Sequence, residues 1–569
     1  MISPPDEGAH ARPVPLPAGY RWQWLGRDAL AGATVWAVLV PEALAYATIA
    51  GVSPVVGLYA APAALILYAV LGSSRHLVVG PMAATAALSA AIVGDAADGS
   101  GAHFAALTAA LAVTVGLAAL LAGLLRLGFL ASFISEPVLK GFIVGLALTI
   151  VAGQLPKLFG VEGGPGDFFE KIWALAGDLG ATSGLTVLVG AGSLLLILVL
   201  RRTAPVVPGS LIAVALGIAV AAAFDLESHG VAVVGDIDTG LPSFGFPDVS
   251  LDDLGGLAAG SVGVLLVAFA EGLGAAKNYA VRGHYEVDAD RELIGLGAAG
   301  LGAGLSSGMV VNGSLSKTAV NWSAGARTQL SGVFVAPLTV LTLLFLTGLF
   351  EKLPEAVLAA VVIAAVVELV DLASLAALHR VFTRRLGQDY GVAARPDFLA
   401  AVAALLGVLV FDTLPGLFIG IGASLLLLLY RSSRPVVSEL GQLPGNGHFT
   451  ALDRHRDSRR IPGVVVLRVE GGIYFANAER IRSTVGKAAG RDGATAVVID
   501  AETVPFIDVS AVRMLDQLAG ELKARGVRLL LARDVGQVRD VLSTADAGAE
   551  LRHVHPTVRE AVEAARTGT

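Results

Sequence analysis

The chain holds 569 residues, of which 55% are hydrophobic and 15% charged, with a mean hydropathy of +0.72 and a formal net charge of −7. That balance excludes an ordinary soluble globular protein, and the absence of cysteine excludes disulfides, thiolate catalysis and Cys-ligated metal. No basic cluster with interleaved aromatics marks a nucleic-acid surface, so the chain reads as a polytopic α-helical membrane protein.

Residues 1–27 form a polar, Pro-rich N-terminal segment carrying Arg12, Arg21 and Arg27. No short apolar run with a cleavage site precedes the first long one, so no signal peptide is expected. Apolar segments then fall near 28–49, 54–72, 76–94, 104–126, 134–155, 184–200 and 206–224. A second set lies near 258–277, 291–306, 313–323, 328–349, 354–377, 396–413 and 415–430, beyond the acidic, Pro/Gly-rich stretch 225–257. Residues 168–180 read as a short interfacial helix. The spacing predicts seven segments plus seven. An odd number per half puts two halves of one fold in opposite orientations, the inverted repeat of secondary transporters.

Basic residues set the expected orientation. With the N-terminus inside, the cytoplasmic connections hold Arg75, Arg126, Arg201, Arg202, Lys277, Arg282, Arg327, Arg380, Arg384 and Arg385. The opposite side holds Lys157, Lys171 and Lys352. Both termini are therefore expected in the cytoplasm, with the transmembrane domain spanning 28–430. Residues 431–462 read as a polar linker. From 463 to 566 the pattern is that of a small α/β domain: strands "VVVLRV" (464–469), "AVVID" (496–500) and "VRLLLA" (527–532), and a helix over 510–526 ending in Gly. Neither a catalytic constellation nor a metal-ligand spacing is visible, so no enzyme activity, cofactor or metal is expected.

The third segment raises a physical problem. Gly80-Pro81 suits a helix start, since Pro at the first helical position needs no N–H partner. Only about fourteen apolar residues remain before Asp95, roughly 20 Å of helix against a ~30 Å hydrocarbon core. A helix that starts in mid-membrane leaves the N–H groups of Met82, Ala83 and Ala84 unpaired, at several kcal/mol each unless a cavity or ligand meets them. The helix dipole makes that ligand an anion, and small side chains let it reach the backbone. The second half repeats the device in "SSGMVVNGSLSKTAVN" (306–321), where Gly313-Ser314 opens another short apolar helix. A lone Gly-Pro is more often a kink, but matching interruptions in the third element of each half are far more specific.

The stretches "VPEALAYATIAGVSPVVGLYA" (40–60), "GSSRHLVVGPMAAT" (72–85), "EPVLKGFIVGLAL" (136–148) and "VVGDIDTGLPSF" (233–244) resemble the SulP anion permease family, relatives of prestin and pendrin. "AEGLGAAKNYAVRGHYEVDADRELIGLG" (270–297) and "NGSLSKTAVN" (312–321) continue the resemblance. "GGIYFANAERI" (471–481) and "FIDVSA" (506–511) are similar to that family's STAS domain. The resemblance covers nearly the whole chain. It implies a core domain and a gate domain, an elevator-like movement, a homodimer, and a small anion held between segments one, three, eight and ten. Carried over by motif, the anion meets Met82, Ala83 and Ala84 of segment three and Leu315 and Ser316 of segment ten. Side chains of the first segment, Glu42 and Tyr46 here, also reach the site; the family's usual residue at the first of these positions is Gln.

Four side chains then bear on ion coupling and regulation. Glu42, alone among apolar neighbours, reads either as a proton carrier or as a structural carboxylate, protonated or paired with Lys317. Glu271 aligns with an acidic position that relatives link to Na⁺ or to protons, and its alternative is a tie between helices. Lys317 adds positive potential to the site or neutralises Glu42 or Glu271. Ser510 occupies the position where free-standing STAS proteins carry a phosphorylatable Ser, and its alternative is a helix N-cap. The expected function is secondary active transport of sulfate, bicarbonate or a C4-dicarboxylate, coupled to H⁺. A Na⁺-coupled bicarbonate symporter, a channel-like exchanger and a membrane-tethered STAS signalling protein are the alternatives.

Overall fold

The computed structural model describes residues 20–96, 101–129, 135–164, 166–204, 207–235, 237, 240–367, 370–380, 395–411, 413–445, 447–545 and 548–567. Arg12, Arg384 and Arg385 lie outside them. The chain forms two compact units, residues 1–380 with 397–424, and residues 381–396 with 425–569.

The first unit is helical. Its first half runs α1 (Leu25–Ile49), α2 (Pro54–Leu71), a short strand β1 (Val78–Pro81), α3 (Ala83–Ala96), α4 (Gly101–Leu124), α5 (Glu136–Phe159), α6 (Phe168–Asp178), α7 (Gly184–Thr203) and α8 (Gly209–Phe224). Its second half runs α9 (Leu251–Gly283), α10 (Ala289–Leu305), β2 (Val311–Ser314), α11 (Leu315–Ser323), α12 (Leu330–Phe345), the single turn α13 (Thr347–Phe350), α14 (Glu355–Val367), α15 (Leu372–Arg380), α16 (Pro396–Phe411) and α17 (Thr413–Ser432), of which the part up to Ser424 belongs to this unit. Among the described residues, α1, α2, α4, α5, α7, α9 and α17 are each long and apolar enough to cross a membrane.

Local chemistry explains the boundaries. Pro54 opens α2, the Asp167/Glu170 capping box starts the amphipathic α6, and a Ser250/Asp253 box starts α9. The 258–277 segment is the middle of α9, which runs on through the charged residues to Gly283. The 354–377 segment is divided between α14 and α15.

The core around α2, α4 and α10 is built from small residues. A Cβ placed on Gly116 of α4 would lie 2.6 Å from the Leu301 nitrogen, and one on Gly297 of α10 would lie 2.7 Å from that of Leu120. The two backbones approach so closely that only glycine fits, the usual route to tight association where lipid removes the hydrophobic driving force.

In the second unit, β3 (Val436–Gln442), β4 (Phe449–Ala451), β5 (Val464–Glu470), β6 (Ala496–Asp500), β7 (Arg528–Ala532) and β8 (Val554–His555) form one sheet in the order β4-β3-β5-β6-β7-β8. The β5 to β8 ladders are parallel, as near-continuous apolar strands with helical crossovers require. The strands β3 and β4 join antiparallel, so the stretch 431–462, expected as a linker, supplies two strands of the sheet. The helices α18 (Ala478–Ala489), α19 (Val509–Ala524), α20 (Gly536–Thr544), α21 (Ala549–Arg552) and α22 (Val558–Thr567) complete the unit.

Candidate anion-binding site

The interrupted segments meet. Strands β1 and β2 pair antiparallel, Val78 opposite Ser314, Gly80 opposite Asn312 and Pro81 opposite Val311. Antiparallel pairing is what oppositely oriented repeats require of their third elements. Strand β1 leads directly into α3 and β2 directly into α11. The two helices therefore start at opposite ends of a four-residue ladder and run away from each other. Their N-termini face across roughly 10 Å, three residue steps of extended chain. All eight ladder residues are buried, and pairing supplies partners for backbone groups that would otherwise be orphaned at this depth.

Side chains lock the crossing. Ser314 caps α11 by accepting from the Lys317 N–H, and Thr318 Oγ1 accepts from the Val78 N–H at 3.0 Å while donating to the Ser314 carbonyl. Asn321 Nδ2 donates to the His76 carbonyl at 3.0 Å. Gln329 Nε2 donates to the carbonyls of Ser74 and Leu77, each at 2.9 Å.

Lys317 is the centre of the polar constellation. It is 0% exposed, and its Nζ lies 2.7 Å from Glu42 Oε2 and 3.2 Å from the Pro81 carbonyl. The same Nζ sits 5.0 Å from the centroid of the Tyr46 ring. Glu42 and Tyr46 lie one turn apart on α1, so i,i+4 spacing puts both on the face turned to α11. The fold thus brings Glu42, Tyr46, Lys317 and the start of α3 together. Met82, Ala83 and Ala84 are buried beside Pro81, Ser316 is half-buried with its Oγ 3.2 Å from that of Ser314, and Leu315 is the exposed member. Glu271 is held apart from this pair: its carboxylate accepts from Asn312 Nδ2 at 3.0 Å, which ties α9 to β2.

Sequence reasoning passed over two groups. Asn312, fully buried, also accepts from the Gly313 N–H at 2.6 Å, and the polar residue heading "NGS" was its only signal. Arg201, expected in a cytoplasmic connection, lies in the last turn of α7. It donates to the Ala364 carbonyl at 3.2 Å and is in electrostatic reach of Glu42 and Tyr46.

In the second unit, Ser510 is exposed at the second position of α19, and the cap is Asp508, which accepts from the Ala511 N–H at 2.7 Å. The alternative of Ser510 as N-cap is thereby corrected: a carboxylate two residues earlier already holds the orphan donor. The buried Asp500 is gripped by Arg468 Nε at 2.8 Å and Arg533 Nη2 at 2.6 Å. Burial disfavours the Arg533 charge, yet its bond to Asp500 and the Asp500 and Glu502 charges leave its pKa raised.

Comparison with known proteins gives this geometry a context. The sulfate permease family profile matches residues 25–386 and the STAS domain profile residues 455–561. A protein named probable sulfate transporter of Mycobacterium tuberculosis is 37% identical over 551 residues, covering 96% of each chain. Probable sulfate transporter 4.2 of Arabidopsis thaliana is 33% identical over 93% of this chain and 79% of its own. The murine Slc26a9 anion transporter in its inward-facing state superposes with a TM-score of 0.86 at 22% identity, covering 96% of this chain and 92% of that one. The transmembrane domain of the cyanobacterial bicarbonate transporter BicA gives 0.60 at 21% identity, over 71% of this chain and 99% of that one. The facing half-helices, the extent of the sequence match and the trailing α/β domain agree: the chain belongs to the sulfate permease family, an anion-transporter fold followed by a STAS domain.

Proposed function

We propose that the protein is a proton-coupled secondary transporter of small anions, sulfate first among them, with the Glu42–Lys317 pair as the coupling device. The observation that carries this reading is the buried ion pair at the meeting point of two helix N-termini. With Glu42 ionised, Lys317 is neutralised and the site holds little attraction for an anion. Protonation of Glu42 frees the Lys317 charge. Each helix N-terminus contributes about half a positive charge, so the two ends and Lys317 together offer about two, the charge of sulfate. Proton and anion therefore bind together, and each weakens when the other is absent.

Stoichiometry then separates substrates. Each net negative charge carried inward against ~100 mV costs about 2.3 kcal/mol. Bicarbonate or a singly protonated dicarboxylate with one proton is electroneutral, whereas sulfate with one proton is not. On this reading the protein lies in the cell membrane with both termini cytoplasmic and works as a homodimer. The elements carrying the site move as a body against the remaining helices, elevator fashion, and Ser510 in the STAS domain is the point of regulation.

Proteoliposome uptake of sulfate, bicarbonate and fumarate under imposed pH, Na⁺ and voltage gradients tests the reading. Glu42→Gln should remove the pH dependence of uptake while anion binding survives. Proton coupling that persists in Glu42→Gln rejects Glu42 as carrier. The Glu271–Asn312 contact favours a second reading, Na⁺ coupling at Glu271. In that case Glu271→Gln, which retains an acceptor for Asn312, abolishes Na⁺ dependence and leaves the pH response intact.

A further inference from the structure

A cavity of about 390 Å³ opens beside the crossing, on the face expected to be cytoplasmic from the distribution of basic residues. It is bordered by Arg75 and His76 ahead of β1, Tyr285 from the α9–α10 turn, Trp322 at the end of α11, Arg327 ahead of α12, and Trp24 ahead of α1. None of Glu42, Tyr46, Lys317 or the half-helix N-termini lines it, so it is distinct from the proposed transport site.

Its lining combines two chemistries. Arg75 and Arg327 are exposed, and among the described residues neither guanidinium has a carboxylate partner within 4.0 Å. The nearby buried Asp28 spends its hydrogen bonds on backbone and a hydroxyl rather than on either guanidinium. Its oxygens accept from the Arg327 N–H at 2.6 Å, the Thr328 N–H at 3.2 Å and the Thr328 hydroxyl at 2.7 Å. Two exposed guanidiniums in one concavity, neither in contact with a carboxylate among the described residues, suit a phosphate or sulfate group. The other walls are rings. The Arg75 guanidinium stands 5.1 Å from the Tyr285 centroid, the Tyr285 hydroxyl lies 3.1 Å from His76 Nδ1, and Trp322 meets the His76 ring edge-on at 4.7 Å. Indole and phenol faces with guanidinium neighbours suit a flat aromatic ring, and the volume fits small-ligand pockets of about 300–1,000 Å³.

We propose that this cavity binds a small phosphorylated or sulfated molecule bearing an aromatic ring, of the nucleotide class, and that its occupancy tunes transport. The route is short. Arg75 and His76, which border the cavity, belong to the stretch 74–77 that leads into β1 and is gripped by Asn321 and Gln329. A ligand spanning Arg75 and Arg327 stiffens the lead-in to β1 against α11 and α12.

The test uses the full-length protein in detergent, with tryptophan fluorescence titrated by AMP, ATP and inorganic phosphate. AMP and ATP should give saturable quenching that Trp322→Phe diminishes. An Arg75→Gln/Arg327→Gln double variant should bind at least about tenfold more weakly, as expected for lost charge-assisted hydrogen bonds. Its melting temperature and nucleotide-free sulfate uptake should match those of the wild type. The proposal is overturned if the wild type shows no saturable quenching, or if the double variant binds AMP as the wild type does. It is also overturned if inorganic phosphate binds as tightly as AMP, since the rings then contribute nothing. Uptake in the double variant reports on the transport reading separately.

Discussion

The two crossing segments perform the same manoeuvre with different materials. In the first half, Gly80-Pro81 leads into Met82, Ala83, Ala84 and Thr85, and what this helix offers at its mouth is backbone. In the second half, Ser314, Ser316, Lys317 and Thr318 crowd the first turn, and the helix caps itself, bonds the opposite strand and contributes a buried cation. On the proposed reading one half lets the anion approach peptide N–H groups, and the other supplies charge and fastening. The difference teaches that an inverted repeat need share only its backbone path. Once a strand has paired with its counterpart, the side chains on either helix are free to specialise.

Substitutions can break that division of labour. The largest effect is expected from Lys317→Met. It leaves Glu42 buried without its cation, at about 3–5 kcal/mol, and should cut sulfate uptake by about a hundredfold or more with a clear fall in melting temperature. Adding Glu42→Gln should restore much of the melting temperature but not the transport. If both recover together, the charge matters for folding alone.

A smaller effect should follow Ala83→Pro. Proline is tolerated at the first position of a helix, so α3 should persist while one N–H donor disappears. Anion affinity should drop by about tenfold, the weight of a hydrogen bond to a charged group, with little change in thermal stability. Equal affinity in equilibrium binding would show that the backbone of the first half is not part of the site.

The smallest effect should come from Ser314→Ala, which removes the cap from α11 and costs about 0.5–2 kcal/mol. The melting curve should shift by a few degrees while the anion dissociation constant stays within about threefold, because the cap fastens the helix without facing the ligand. A larger loss of affinity would move Ser314 from fastening to binding.

The apolar runs, the positions of Gly80-Pro81 and Gly313-Ser314, and the β-branched strands after residue 463 were all legible in the sequence. Each is a local consequence of residue chemistry: bilayer thickness sets run length, proline and glycine set where a helix can begin, and alternation of apolar runs marks a parallel sheet. The family motifs named the candidate residues in the same way, because they are contiguous words. Partnership was not legible. Nothing in the order of residues says that Lys317 faces Glu42 rather than Glu271, that Asn312 is the partner of Glu271, or that Asp508 rather than Ser510 caps its helix. Arg201 could be read only as a charge on a loop.

The chain's own composition therefore determined that it lives in lipid, where its helices stop short, and what kind of ligand such ends attract. Only the tertiary structure decided which charge answers which. Residues 275 positions apart, such as Glu42 and Lys317, become neighbours where α1 packs against α11. The energy of a buried ion pair depends on distance and desolvation, neither of which is written along the chain.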